Sequence, residues 1–237
     1  TFKLQRMEAW QEIDRNLGIM TDMSKNWTVA KNIEMLNQLK VVMAEFREAQ
    51  QQVEDVSHTT EEQPAMKILL TQAAPRATKI VTAITGMINE EKKQPATSRR
   101  KDLLATFADS RGSFAMGLAS IRGYLISGEK KWVDDFNARW AVNSARLKTI
   151  EKNKGLLTSK QRRYFSTYKS MRKQFSPLPA KMFEIRGSNR WNMANFMLGT
   201  QAAPRAVKAM DILNNMVENQ NKLVATDVNT LQEQSTN

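Results

Sequence analysis

Apolar residues recur at intervals of three and four along most of this 237-residue chain. Between Leu4 and Val56 the recurring residues are Trp10, Ile13, Leu17, Met20, Leu36, Leu39, Met43, Phe46 and Val53. Such spacing marks one face of an α-helix, and no segment alternates at the period of two that a half-buried β-strand requires. The pattern therefore predicts an all-α protein whose helices each bury one face.

Turn signals divide this pattern into about six helices. They are predicted at residues 4–56, with a bend near 24–27, and at about 59–93, 99–126, 130–153, 158–175 and 191–226. Capping boxes, Thr59 with Glu62 and Thr158 with Gln161, are predicted to begin two of them. Because short connections join antiparallel neighbours, we expect an elongated up-and-down bundle.

The heptapeptide TQAAPRA occurs twice, at residues 71–77 and 200–206. At the same offset of 129 residues the match extends to 12 identities over the 29 positions 65–93. This degree of identity predicts that one kind of helix is used twice, once in each half of the chain.

Each copy of the repeat places a proline, Pro75 or Pro204, inside a helix. A proline in a helix interior removes one backbone hydrogen bond and costs about 3 kcal/mol, so we expect a compensating feature nearby. Two interpretations stay open. In the first, the kink serves packing, the paired alanines admit a neighbouring helix, and Arg76 or Arg205 pairs with a carboxylate. In the second, the freed carbonyl and the arginine line a polar pocket.

Several classes of site are excluded by composition. The chain has no cysteine and a single histidine, His58, so it has no disulfide, no thiolate zinc site, no two-histidine metal site and no ferritin-like di-iron site. A glycine-rich phosphate loop is also missing. We therefore predict that the protein is not an enzyme and uses no metal or other cofactor. No apolar run approaches the roughly 20 residues of a membrane span.

Positive charge is concentrated in one segment. Residues 99–190 contain 21 basic and 7 acidic residues, whereas each flanking segment has a net charge of −1. A concave surface in this segment would concentrate anions. The basic residues of 160–173, with Tyr164, Phe165 and Tyr168, also admit binding to a nucleic acid or an anionic surface. Against that alternative, these aromatic residues fall on the apolar stripe.

Three stretches resemble the extracytoplasmic sensor regions of bacterial methyl-accepting chemotaxis receptors. They are TQAAPRA, RGYLISG at residues 122–128 and RWNMAN at residues 190–195. The most similar type is the helical bimodular sensor domain, in which two four-helix bundles stack end to end and share two long helices. The resemblance covers essentially the whole chain. Related sensor histidine kinases carry similar domains, so a sensor histidine kinase is an alternative parent protein.

The resemblance implies a periplasmic domain of an inner-membrane protein, held as a homodimer and flanked by transmembrane helices. It divides the sensor region 1–237 into a membrane-proximal module, 1–98 with 206–237, and a membrane-distal module, 99–205. Members of the family bind small molecules, often organic acids, between helices. Binding shifts the final helix and so signals to a cytoplasmic domain in chemotaxis. The implied partners are thus a small ligand and a second copy, with no nucleic acid.

Candidate ligand-binding residues are arginines near helix breaks or turns, because a guanidinium donates two parallel hydrogen bonds to a carboxylate. Trp191 and Asn195 join them as an aromatic and an amide beside such a turn. The predicted set is Arg76, Arg111, Arg122, Arg186, Arg190, Trp191, Asn195 and Arg205. Dicarboxylates, tricarboxylates, amino-acid carboxylates, nitrate and phosphate all suit such a site. Each arginine is alternatively a solvated or structurally paired residue.

Overall fold

The computed structural model describes residues 2–235, and all its regular structure is helical, which confirms the all-α prediction. The chain forms two compact units. Unit 1 comprises Thr1–Asp55 with Met197–Asn237, and unit 2 comprises Val56–Phe196. These bounds differ from those of the two predicted modules, whose stacking and placement relative to a membrane remain predictions.

Eight helices, counted over residues 2–235, are labelled here in chain order. They are α1 (Phe2–Ser24), α2 (Ala30–Val56), α3 (Pro64–Ile68, Leu69–Ala73 and Ala74–Glu91), α4 (Ser98–Ser127), α5 (Lys131–Lys152), α6 (Ser159–Phe175), α7 (Leu178–Gly187) and α8 (Met193–Met197, Leu198–Ala202 and Ala203–Ser235). Within residues 2–235, none of these helices is both long and apolar enough to cross a membrane.

The prediction of one helix over residues 4–56 is wrong, because α1 and α2 are separate and antiparallel. The indole of Trp10 donates to Gln50 at 2.7 Å, and Arg47 pairs with Asp14. The helix stops at Ser24, where three successive tight-turn bonds run from the amides of residues 25–27 to the carbonyls of residues 22–24. The predicted bend is therefore a reversal of the chain.

Unit 1 has a small apolar core shared by its three helices. Seven buried residues form it, namely Met35, Leu36, Leu39, Val42, Ala209, Ile212 and Met216. Leu17 and Met20 of α1 and Trp27 of the turn pack against this cluster. One face of α2 and one face of α8 are thus buried against each other, as helical periodicity requires.

Unit 2 is an antiparallel four-helix bundle of α3, α4, α5 and α6. Contacts between facing positions establish the antiparallel order: Glu91 of α3 bonds Arg100 of α4, Gly117 of α4 faces Phe136 of α5, and Gly86 of α3 faces Tyr164 of α6. Helix α7 follows a break at Ser176 and Pro177 and packs on the start of α3 and on α4. Proline at this break prevents α6 from continuing.

A row of aromatic rings fills one part of this bundle. The ring of Phe114 lies 5.1 Å from Phe175, Trp140 stacks on Phe136 at 5.7 Å, and Phe183 of α7 meets Phe136 edge to face at 5.4 Å. Edge-to-face and offset contacts of this kind add to the free energy gained by burial alone. The aromatic row thus couples α4, α5, α6 and α7.

One of the two predicted capping boxes is confirmed. Thr158 accepts from the amide of Gln161, and the Gln161 side chain accepts from the amide of Thr158. The box at Thr59 is wrong, because α3 begins at Pro64. The carboxylate of Glu62 instead accepts from the amide of His58, whose positive φ of 64° closes a tight turn before the helix.

The repeated heptapeptide adopts the same backbone in both places. A π-helical turn occupies Leu69–Ala73 in the first copy and Leu198–Ala202 in the second. In each, the amide of the following alanine donates to the leucine carbonyl five residues earlier. Such a turn holds one extra residue, which changes the hydrogen-bond register just before the proline that cannot donate.

The arginine after each proline compensates for this register change. Arg76 Nη1 donates to the Gln72 carbonyl at 2.8 Å, and Arg205 Nη1 donates to the Gln201 carbonyl at 2.8 Å. Arg205 also lies 3.6 Å from Glu45, the kind of carboxylate partner that the packing interpretation predicts. Arg76 has no such partner among residues 2–235. Both arginines thus satisfy the carbonyl groups of their own helices.

Two glycines of α4 provide a matched test of packing between α4 and α5. A Cβ at Gly123 would lie 2.6 Å from the Trp132 ring, whereas one at Gly112 meets nothing within 4 Å. We expect Gly123→Ala to lower the free energy of unfolding by about 1–3 kcal/mol through overpacking. Gly112→Ala should raise it by about 0.5–1 kcal/mol by restricting the unfolded chain. Urea denaturation of both variants measures the difference, and equal effects would contradict the close contact.

Candidate functional site

A buried polar network lies inside the core of unit 2. Ser110 of α4, Asn143 of α5 and Tyr168 of α6 are all fully buried. The hydroxyls of Ser110 and Tyr168 are 2.9 Å apart, Tyr168 donates to Asn143 Oδ1 at 3.1 Å, and Asn143 Nδ2 donates to the Ser110 carbonyl at 2.8 Å. Three helices are therefore joined by hydrogen bonds at one level of the bundle.

The helical repeat places these polar groups in core positions. Asn143 shares a face of α5 with Phe136, Trp140, Leu147 and Ile150, all of them at least partly buried. A polar group in such a position costs free energy unless it is hydrogen-bonded, and both ends of the Asn143 amide have partners. The network thus fixes how α4, α5 and α6 align.

Arg172 extends the network toward the surface between α5 and α6. Its Nε donates to Asn143 Oδ1 at 2.7 Å, and its Nη2 donates to Ser144 Oγ at 2.6 Å. The guanidinium carbon lies 3.9 Å from the centre of the Trp140 ring, a favourable cation–π distance. The guanidinium is therefore held in one orientation by three neutral groups.

No carboxylate among residues 2–235 lies within ion-pair distance of Arg172. Three acids of α4 and α5 are paired with other residues: Asp109 with Arg146 at 3.0 Å, Asp135 with Arg139 at 3.3 Å and Glu151 with Lys169 at 2.9 Å. A half-buried guanidinium loses part of its hydration, and a counter-ion would offset part of that cost. Arg172 is consequently a positioned cation whose counter-ion the described chain does not supply.

Burial shifts the acid–base behaviour of both ionisable members of the network. It raises the pKa of Tyr168, so the phenol stays neutral and continues to donate to Asn143. Burial also lowers the pKa of Arg172, because the charged guanidinium loses contact with water. An anion bound beside Arg172 would oppose this second effect.

Of the eight sequence-predicted site residues, the structure brings two into contact, Arg186 and Trp191. The guanidinium of Arg186 lies 4.5 Å from the Trp191 ring, and its Nε donates to the Leu125 carbonyl at 2.8 Å. Arg186 also covers Gly128, whose φ of 71° ends α4 in the left-handed conformation. This arginine therefore caps the C-terminal end of α4.

The remaining predicted residues have other neighbours. Arg111 approaches Thr85 at 3.4 Å, Arg190 lies over Phe196 at 5.1 Å, and Arg122 is exposed. The amide of Asn195 donates to the Asn192 side chain at 2.8 Å, which caps the start of α8. Arg76 and Arg205 bond their own helices, as described above. Binding of a ligand by any of the eight stays a prediction.

Sequence reasoning missed Asn143 and Ser144, and it assigned Tyr168 and Arg172 to a possible nucleic-acid footprint. The available signal was the asparagine at a core position of an otherwise apolar helix face. Phe165 and Tyr168 of that footprint are buried, and Lys160 and Lys169 pair with Glu90 and Glu151. These aromatic rings are therefore not free to stack on bases.

Two open grooves of unit 1 are lined by residues other than those of the network. One groove of unit 1 is lined by α2 and Lys208, including Ile33, Asn37 and Val41. Another contains Arg205, together with Glu45 and Glu48, whose negative charges disfavour an anion there. Among residues 2–235, no group of three or more histidine or acidic residues is arranged to hold a metal ion.

A second polar cluster joins the first residues of unit 2 to its last residues. Glu62 accepts from the amide of His58 at 2.7 Å and from Asn192 Nδ2 at 3.1 Å, and its carbonyl accepts from the amide of Met193 at 2.8 Å. The His58 amide first, and then the Asn192 side chain, hold the pKa of Glu62 below its ordinary value of 4.5.

Comparisons of the chain with protein-family models, with curated proteins and with solved structures found no match.

The buried network predicts a large effect of Asn143→Ala on stability. The substitution removes the hydrogen bonds that Asn143 makes with Ser110, Tyr168 and Arg172 and leaves their polar atoms without these partners. We therefore expect the free energy of unfolding to fall by about 2–4 kcal/mol. Asn137→Ala, an exposed position on the same helix, should change it by less than about 0.5 kcal/mol. Chemical denaturation compares them, and a similar small change in both would contradict the network.

The lowered pKa of Glu62 predicts a pH-dependent stability. Because its pKa is lower in the folded state, its stabilising contribution is complete above pH 4.5 and is lost as the pH falls through the folded-state pKa. Glu62→Gln should therefore weaken the dependence of melting temperature on pH in this acidic range. The neighbouring exposed variant Glu61→Gln serves as the control, and an equal change in both would refute the assignment to Glu62.

Proposed function

We propose that this chain is the ligand-binding sensor region of a bacterial chemotaxis receptor and that unit 2 binds a small anion, of carboxylate type, between α5 and α6. The observation that carries the binding proposal is Arg172. Its guanidinium is half-buried, oriented by Asn143, Ser144 and Trp140, and has no carboxylate partner in residues 2–235.

The fixed orientation of Arg172 favours binding of a planar anion. Neutral acceptors engage two of its nitrogens, Nε and Nη2, and Nη1 is the remaining nitrogen of the guanidinium. A carboxylate that reached this nitrogen would form a charge-assisted hydrogen bond to a donor that needs little ordering. Pre-organisation of this kind lowers the entropic cost of binding.

The surrounding charge adds a long-range attraction. Residues 99–190, most of unit 2, have a net charge of +14, and Asp109, Asp135 and Glu151 are already in ion pairs. A field of this sign raises the local concentration of anions and their association rate, and salt weakens both effects. The ligand is thus proposed to be negatively charged.

The receptor assignment is supported by the sequence resemblance and the all-α fold. Under this proposal the domain lies in the periplasm, pairs as a homodimer and connects through flanking membrane helices to a cytoplasmic signalling domain. A ligand that contacts both α5 and α6 would favour the bundle conformation with the better contacts and so shift a population between two signalling states. A sensor histidine kinase with the same domain would use identical binding chemistry.

A binding assay on the purified chain tests the site. Succinate, citrate, acetate, glutamate and phosphate are each compared by thermal shift with chloride at equal ionic strength. A carboxylate at about one hundred times its dissociation constant stabilises the fold by about 2.7 kcal/mol. We expect one class of carboxylate to raise the melting temperature selectively and Arg172→Gln to weaken its binding about 10- to 100-fold.

Two further variants separate the site from the general charge. Lys173→Gln removes one positive charge from the neighbouring residue, which is exposed. Because this charge acts on the carboxylate only at long range and is screened, we expect the affinity for the carboxylate to change less than about threefold. Asn143→Asp keeps Arg172 but gives it an internal carboxylate, so external binding should be lost. Equal stabilisation by every anion, or unchanged affinity in Arg172→Gln, would contradict the proposed site. Circular dichroism checks that each variant is folded.

A further inference from the structure

Helix α8 has a second apolar row that the described part of the chain leaves exposed. Six large apolar residues of this row are between 46% and 64% exposed, namely Val207, Met210, Val217, Val224, Val228 and Leu231. The opposite face of the same helix is already buried, through Ala209, Ile212 and Met216 in the core of unit 1. Helix α8 therefore has two apolar faces, and unit 1 buries one of them.

The exposed row follows the heptad repeat of a coiled coil. Positions 207, 214, 221 and 228 take the a positions, and 210, 217, 224 and 231 take the d positions. All four d residues are apolar, whereas the a positions read Val, Asn, Asn and Val. Such a sustained 3–4 spacing along one exposed face is typical of a helix that packs against another helix.

We propose that two copies of this chain pair through α8 as a parallel, in-register coiled coil in which Asn214 and Asn221 form two hydrogen-bonded layers. This proposal gives the homodimer of the proposed function its pairing surface, and it does not depend on what unit 2 binds. A second copy is the partner because the two inner asparagines are matched by the same residues of an identical helix.

Only one register satisfies both asparagines. In a parallel pair each a residue faces the a residue of the other helix, so Asn214 meets Asn214 and Asn221 meets Asn221. A shift of one heptad brings Asn214 opposite Asn221 but leaves the other asparagines opposite valines. An unpaired amide in an apolar interface costs free energy, which disfavours the shifted pair.

Antiparallel pairing fails for a related reason. It packs a residues against d residues, which brings every asparagine next to valine, methionine or leucine. It also brings e positions of the two helices together, where Asp211 and Glu218 lie, whereas parallel pairing brings no like charges from e and g positions together. Polar and charged positions thus favour the parallel arrangement.

The size of the unit 1 core also indicates a missing neighbour. Its apolar cluster has seven buried residues, whereas the cluster of unit 2 has 23, over the described parts of each unit. Burial of a second face of α8 would remove a contiguous exposed apolar row of the kind that marks an interaction surface. The homodimer would in this way enlarge the core of the smaller unit.

Cysteine cross-linking tests both the pairing and its register, because the natural chain has no cysteine. Val217→Cys and Val224→Cys each place a thiol at a d position, and Asn215→Cys places one on the same helix outside the seam. We expect rapid disulfide formation within Val217→Cys and within Val224→Cys, and at least tenfold slower formation in Asn215→Cys. In a mixture of the two d variants, disulfides between 217 and 224 should be rare.

Sedimentation of charge variants provides a second measurement. Val217→Asp combined with Val224→Asp places four negative charges in the seam of a dimer, so we expect the dimer dissociation constant to rise at least tenfold. Asn215→Asp combined with Asn229→Asp adds the same charge at exposed positions outside the seam and should change it less than threefold.

Three results would overturn the proposal: cross-linking no faster in the d variants than in Asn215→Cys, preferred disulfides between 217 and 224, or equal dissociation constants for the two double-aspartate variants. None of these results bears on anion binding by Arg172. Failure of the anion site would likewise leave the cross-linking pattern unchanged. The two proposals are therefore tested separately.

Discussion

Burial of one apolar face per helix is the constraint on which both units depend. In unit 2 four antiparallel helices cover one another, and the aromatic row through Phe114, Phe136 and Trp140 closes the centre of the bundle. A polar side chain inside such a core must find its partners there, because water does not reach it. The hydrogen bonds of Asn143 are therefore a consequence of the packing, and Arg172 takes its orientation from them.

The two proposals concern places where the described chain leaves an interaction incomplete. Arg172 has hydrogen-bond acceptors and an aromatic ring but, among residues 2–235, no carboxylate within ion-pair distance. Helix α8 has a heptad row that the described helices leave exposed. Each incomplete interaction has a specific chemistry, a carboxylate for the guanidinium and an identical helix for Asn214 and Asn221.

The repeated heptapeptide shows which features depend on local sequence and which depend on the surrounding residues. Both copies form a π-helical turn followed by proline, and in both the arginine donates to a glutamine carbonyl of its own helix. This local structure follows from the missing amide of proline and is the same in both units. The surroundings differ, because Arg205 also approaches Glu45 while Arg76 has no ion-pair partner in residues 2–235.

The sequence alone determined the helical fold class, most helix boundaries of unit 2, the Thr158 capping box and the concentration of positive charge, because these depend on periodicity, local capping and composition. It did not determine that residues 4–56 fold back as two helices, since the apolar stripe is identical for a straight helix and a hairpin. It also did not reveal the network, because Ser110, Asn143 and Tyr168 lie far apart in the chain and meet only when α4, α5 and α6 pack. Tertiary structure decided that Arg172 is oriented by the network without a carboxylate partner among residues 2–235, and which face of α8 they leave open, because both depend on what the other helices cover.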